Sequence, residues 1–194
     1  MIRTLLSLCT MIALTACATA HGPGGPPRGT EGEIAALAAA LRALDPAVDA
    51  TEAARAARIS YTYSHRLAIA YEITDTPLTH NAKVNRGEKP RGLCRHWAED
   101  MEARLNQEGF KTLEVHRAIA NAQHRFLIEH SSAVISARGD AMADGIVIDP
   151  WRMGGVLFWS RVSEDRKYPW RPREEVQREK GLVRYALPGE IPQI

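Results

Sequence analysis

The apolar pattern of this chain changes period once, and that change constrains its fold more than any other feature. From Ile34 to Leu105 apolar residues recur every three or four positions, whereas from Leu113 to Trp159 they alternate or gather in short runs. Helices come first and strands follow. This is the order of an α+β protein whose helices pack on an antiparallel sheet. The length, 194 residues with 45% hydrophobic side chains, suits a single domain over 33–194.

Thr30-Glu31-Gly32-Glu33 has the form of a capping box, and Ile34, Leu37, Ala38 and Leu41 follow at helical spacing until Pro46. A second helix opens at Thr51, carries Ala56, Ile59, Tyr63, Leu67 and Ala70 on one face, and ends before Asp75-Thr76-Pro77. Residues 78–91 are polar and broken by Gly87 and Pro90, which reads as an irregular connection. A third helix is expected over 94–105, with positions 94, 97, 98, 101 and 105 on its inner face and Gly109 as its stop. Strands are expected over 113–119, around Ala133-Val134-Ile135 and Ile146-Val147-Ile148, and over 155–159. Arg138-Gly139-Asp140 between the two central runs makes them antiparallel neighbours. Past Glu164 only a short helix over 174–180 is expected.

The first residues do not belong to that fold. Met1 to Cys17 reads MIRTLLSLCTMIALTAC, with one positive charge at Arg3, an apolar stretch from Leu5 to Leu14 and small residues after it. The stretch falls short of the roughly 20 residues a spanning helix needs, and it reads as an export signal over 1–16. Its end, Leu14-Thr15-Ala16-Cys17, resembles the lipobox of bacterial lipoproteins, which implies cleavage before Cys17 and lipid attachment to it. With Ala18 next rather than an aspartate, the resemblance implies outer-membrane sorting and a domain facing the periplasm. His21 to Gly32 holds five glycines and three prolines, so 17–32 reads as a lipidated tether.

Lys and Arg number 25 against 23 Asp and Glu, and only 6% of residues are aromatic, so no basic surface for nucleic acid is present. No glycine-rich phosphate loop or dinucleotide fingerprint occurs. A Cys94/His96/His130 metal site lacks any ligand pair at helical or hairpin spacing, so neither metal nor cofactor is expected.

Three cysteines suggest a disulfide only until they are placed. Cys9 lies in the export signal and Cys17 takes the lipid, which leaves Cys94 as the single thiol of the domain. Cys94 opens a helix, where unpaired amides and the helix dipole favour thiolate, and its own backbone amide could face an oxyanion. The other reading of such a residue is a small buried hydrophobe. A nucleophilic cysteine needs a histidine, and the histidine needs an orienting group. Of seven histidines, His124 and His130 precede Asp149 at strand distance. The midpoint between 130 and 149 falls at the Gly139-Asp140 turn, whereas that between 124 and 149 falls inside an apolar run, which favours His130 and leaves His124 as the alternative. His96 turns to another helix face, and Trp97 and Trp151 are expected to pack the helix on the sheet.

The run Gly92-Leu93-Cys94-Arg95-His96-Trp97-Ala98, a histidine opening a strand, and a strand ending in Asp149-Pro150 are similar to the transglutaminase-like superfamily of cysteine-dependent enzymes. The similarity spans roughly residues 80–160. It implies an α+β cysteine-proteinase/transglutaminase-like core with Cys94 as nucleophile, His130 as general acid/base and Asp149 as the carboxylate orienting it. Ser131-Ser132-Ala133 stands where many relatives have an aromatic residue, whereas Arg125-Phe126 follows His124. Asn81, Asn85 and Tyr71 are candidates for a second oxyanion donor. The resemblance implies a membrane-anchored thiol enzyme acting on a peptide or envelope polymer by hydrolysis or transamidation. The competing expectation is a non-catalytic binding or scaffold lipoprotein of the same fold.

Overall fold

The computed structural model describes residues 21, 22 and 24–182. The export signal, Cys9 and Cys17 lie outside the described residues.

Helix α1 (Glu31–Arg42) opens on the expected capping box: the Thr30 hydroxyl accepts from the Glu33 amide at 3.2 Å, and Glu33 accepts from the Thr30 amide at 2.8 Å. Its buried stripe is Ile34, Leu37 and Leu41. Helix α2 (Ala50–Ala70) starts one residue earlier than Thr51, because the Asp49 carboxylate caps the Glu52 amide. Ala53, Ala56 and Ala57 are buried on α2, and their small side chains let α1 approach closely. Helix α4 (Cys94–Asn106) buries Trp97, Ala98, Met101 and Leu105.

Two expectations need correction. Residues 78–91 are not irregular throughout, since α3 (Pro77–Asn85) occupies most of them. Pro77 sits at the first helical position, where its fixed φ suits the helix and its missing N–H costs nothing. The spacer reading of His21–Gly32 also narrows. Pro26 is buried, its carbonyl contacts His65 Nδ1 at 2.9 Å, and a Cβ on Gly29 would lie 2.2 Å from the Tyr61 ring, so this stretch packs on α2.

The strands are β1 (Leu113–Ala120), β2 (His130–Ala137), β3 (Ile146–Met153), β4 (Val156–Arg161) and β5 (Arg171–Pro172). They form one antiparallel sheet in the order β4-β3-β2-β1-β5, and α5 (Arg173–Glu179) follows the last strand. The class is α+β. On one face, Ala133, Ile135, Ile146 and Ile148 meet Leu37, Leu41, Met101 and Leu105 of the helices. On the other, Ala118, Ala120, Val134 and Val147 meet Met142 and Trp170. Every residue of β2 is buried, so its alternating side chains supply both faces. The polar ones are satisfied within the sheet: the Ser132 hydroxyl donates to the Ile148 carbonyl at 2.6 Å.

The β2–β3 register is shifted from the expected one. Ala133 pairs with Ile148 and Ile135 with Ile146, which puts the hairpin midpoint between Asp140 and Ala141, because a 3-10 turn at Met142–Asp144 lengthens the connection. Extending this register sets Trp151, not Asp149, opposite His130. A shift of two leaves parity intact, so His130 and Asp149 still share a face.

Candidate active site

Cys94 is delivered by a tightly held turn. Buried His80, from α3, donates Nε2–H to the Arg91 carbonyl at 2.8 Å; the Gly92 amide donates to His96 Nδ1 at 3.2 Å; Trp97 Nε1–H donates to the Gly92 carbonyl at 3.0 Å. Gly92 has φ +124, and a Cβ there would stand 2.3 Å from His80 Nε2, so only glycine fits. Leu93, at the N-cap, offers no side-chain hydrogen bond to the start of α4. Cys94 is partly exposed and packs against the Leu67, Trp97 and Trp151 cluster, with Sγ 3.7 Å from the Glu129 carbonyl. The next residue after that carbonyl is His130.

His130 is 1% exposed, and Nε2 lies 2.7 Å from Asp149 Oδ2. Their contact is diagonal across the strand pair. The position opposite is taken by Trp151, whose ring centroid is 4.6 Å from the imidazole, and Tyr168 and Trp170 close over it at 4.6 and 5.2 Å. Nδ1, the other ring nitrogen, is buried and has no hydrogen-bond partner. Burial of the ring opposes its protonation, but the Asp149 charge and hydrogen bond outweigh it, with a further contribution from Cys94, and the imidazole pKa is pushed up to about 9. His130 is therefore an imidazolium at neutral pH and donates to Asp149.

Asp149 is 1% exposed and holds more than the histidine. A register shift between Asp149 and Met153 bulges β3, so that the Arg152 amide donates to Oδ1 at 3.1 Å and Arg152 Nε to Oδ2 at 3.0 Å. The same guanidinium reaches Asp165 at 3.2 and 2.5 Å, and lies over the Phe158 and Tyr168 rings at 3.8 and 4.6 Å. Asp165 in turn accepts from Trp170 Nε1 at 2.9 Å. Burial pushes the Asp165 carboxyl up, but the Arg152 and Trp170 hydrogen bonds prevail and hold it below its ordinary range. The result is a buried chain of charge, His130, Asp149, Arg152, Asp165, packed between aromatic rings.

The other candidates lie elsewhere. His124 is exposed on the β1–β2 loop, bonded through its own amide to Asn121, while Asp149 is held by His130. His96 braces the turn before Cys94, and burial, then the Arg91 and Arg95 charges, lower its pKa. The Tyr71 hydroxyl is bonded to Asp100 on α4, and burial foremost raises its pKa. Asn85 is exposed at the end of α3. Asn81 accepts from Trp151 Nε1 at 3.1 Å and so borders the site. Among the described residues no cluster of His, Cys, Asp and Glu is placed to hold a metal ion.

A groove of about 720 Å³ opens over His130, between Leu78 of α3 and Phe126, Leu127 and Ile128 of the β1–β2 loop. Sequence reasoning missed this groove and the Arg152–Asp165 support. Arg152, three residues after Asp149, carried a spacing signal, but Asp165, Tyr168 and Trp170 come from a stretch without periodicity. Comparison of the chain with protein-family models, with curated proteins and with solved structures found no match.

Proposed function

We propose that this chain is a lipid-anchored thiol enzyme of the bacterial cell envelope that transfers or hydrolyses acyl groups, with Cys94 as nucleophile, His130 as general acid/base and Asp149 as the orienting carboxylate. The observation that carries the reading is the buried His130–Asp149 pair, whose second imidazole nitrogen is left open beside a thiol at the start of a helix. The raised His130 pKa favours the ion pair in which the imidazolium holds the proton that the thiol loses. The thiolate turns from the Glu129 carbonyl and attacks an amide or ester carbonyl. His130 then protonates the leaving amine, and a thioester remains on Sγ. Neutral His130 next takes a proton from water, the hydroxide adds to the thioester, and a carboxylic acid and Cys94 are released; an acceptor amine in place of water gives transamidation.

The resemblance to transglutaminase-like enzymes supports hydrolysis of a peptide or peptide-like bond, and the lipobox-like Leu14-Thr15-Ala16-Cys17 supports a periplasmic substrate. Alkylation by iodoacetamide, followed by mass spectrometry of the Cys94 peptide, tests the pair. Native protein is expected to react at neutral pH at least about tenfold faster than His130→Ala. A rate that follows free cysteine across pH and ignores His130→Ala overturns the reading and leaves the fold as a binding lipoprotein.

A further inference from the structure

The groove over His130 is not centred on the reacting pair. His130, Trp151 and Tyr168 line it, and Cys94 does not. Seven large apolar side chains are exposed among the described residues, and four of them, Leu78, Phe126, Leu127 and Ile128, border this one groove. Single exposed apolar residues are ordinary, but their concentration marks a surface that binds. Phe126 is the extreme case, 93% exposed. The loop that presents it is closed at its base, where the Asn121 side-chain amide donates to the Ile128 carbonyl at 3.1 Å.

The histidine hands its proton to the departing amine, so space beside His130 and away from the thiol is where the departing half of a substrate sits. We infer that this groove is the leaving-group subsite and that it selects an amine component with a bulky apolar side chain, such as the residue after the cleaved bond of a peptide. The inference rests on the reading of Cys94 and His130 as the reacting pair. By microscopic reversibility the same subsite favours such an amine as acyl acceptor.

That reversal gives the experiment. p-Nitrophenyl acetate transfers its acetyl group to Cys94 Sγ of the full chain and releases p-nitrophenolate. Phenylalaninamide or serinamide then attacks the thioester carbonyl, its amine proton passes to His130, and the thiolate leaves, yielding the N-acetyl amide. Partition between N-acetyl amide and acetate is read by mass spectrometry. Phenylalaninamide is expected to capture the acetyl group at least about tenfold better than serinamide, the benefit of burying a large apolar side chain. Phe126→Ser and Leu78→Ser, both at exposed positions, narrow that ratio, and Ile69→Ser, outside the groove, keeps it. A ratio within twofold, or one indifferent to Phe126→Ser, overturns the inference; if Phe126→Ser instead abolishes binding to phosphatidylglycerol vesicles while the ratio holds, the loop is a membrane contact. Absence of acetyl on Cys94 would defeat the thiol reading separately. The groove is then judged by NMR: phenylalaninamide, unlike serinamide, shifts the Leu78 and Ile128 methyls, and no such shift overturns the subsite.

Discussion

Helices α1, α2 and α4 bury Leu37, Leu41, Met101 and Leu105 against Ala133, Ile135, Ile146 and Ile148, and the centre of that face is apolar, with Arg117 of β1 paired to Glu102 of α4 beside it. The opposite face of the same strands carries His130 and Asp149, joined by Arg152 and Asp165 under a cover of aromatic rings. The first face needs only to exclude water, and many apolar sequences would satisfy it. The second must satisfy every buried charge with a specific partner, and each partner fixes the next. One strand, β2, serves both, which makes its eight buried residues the hinge between stability and chemistry.

The largest effect that separates the faces is on turnover. Asp149→Asn keeps the shape but no longer anchors an imidazolium, and acetyl turnover from p-nitrophenyl acetate is expected to fall on the order of 10³–10⁴-fold. Met101→Ala, on the apolar face, works the other way. It is expected to cost about 2–5 kcal/mol in a denaturant titration, through lost burial and a cavity, while Cys94 reactivity per folded molecule stays near native. If Met101→Ala lowers reactivity as much as Asp149→Asn does, the division of labour between the faces is wrong.

The charged face also carries a pH signature. His130 has its folded pKa raised to about 9, so the stability it contributes is fully present below its unfolded value of about 6.5 and is lost as pH rises through 9. Denaturation followed from pH 6 to 10 should show a decline on the order of 3 kcal/mol across that window in native protein, and a flatter curve in Asp149→Asn. An equal decline in both would place the titrating group elsewhere.

The same contrast explains how much was legible beforehand. Helices α1, α2 and α4 and strand β1 announce themselves because one side of each is apolar at a fixed period, and β2 and β3 because their short apolar runs flank a turn signal. Helix α3 does not, since what anchors PLTHNAKVN is polar: His80 on the Arg91 carbonyl and Asn81 on Trp151. His130 rather than His124 is favoured as the partner of Asp149 because the midpoint between 130 and 149 falls at the Gly139-Asp140 turn, although the register lies two residues from the one that midpoint implies. Parity survives such a shift, because side chains alternate with a period of two. Of the Arg152–Asp165 support only Arg152 carries a spacing signal, because its partners meet it through a bulge and an aperiodic segment that no pattern in one sequence specifies.

The smallest expected effect compares two ion pairs of like chemistry. Arg152 holds Asp165 with two hydrogen bonds at 3.2 and 2.5 Å, and their side chains are 7% and 2% exposed. Arg58 holds Glu31 at 2.9 and 2.7 Å between α2 and α1, but those side chains are 56% and 77% exposed. Water already solvates the second pair in both folded and unfolded chains, and ordering two long side chains offsets much of what the contact gains. Removing Asp165 instead leaves a buried guanidinium partly uncompensated, with no solvent to replace the lost carboxylate. Asp165→Asn is therefore expected to destabilise by about 2–3 kcal/mol, whereas Arg58→Met leaves Tm unchanged within error. Raising salt to 1 M should not diminish the Asp165→Asn effect, because screening acts on exposed charges. Equal losses for the two variants would mean that the charged face tolerates solvent, and the aromatic cover over Arg152 would then have no electrostatic role.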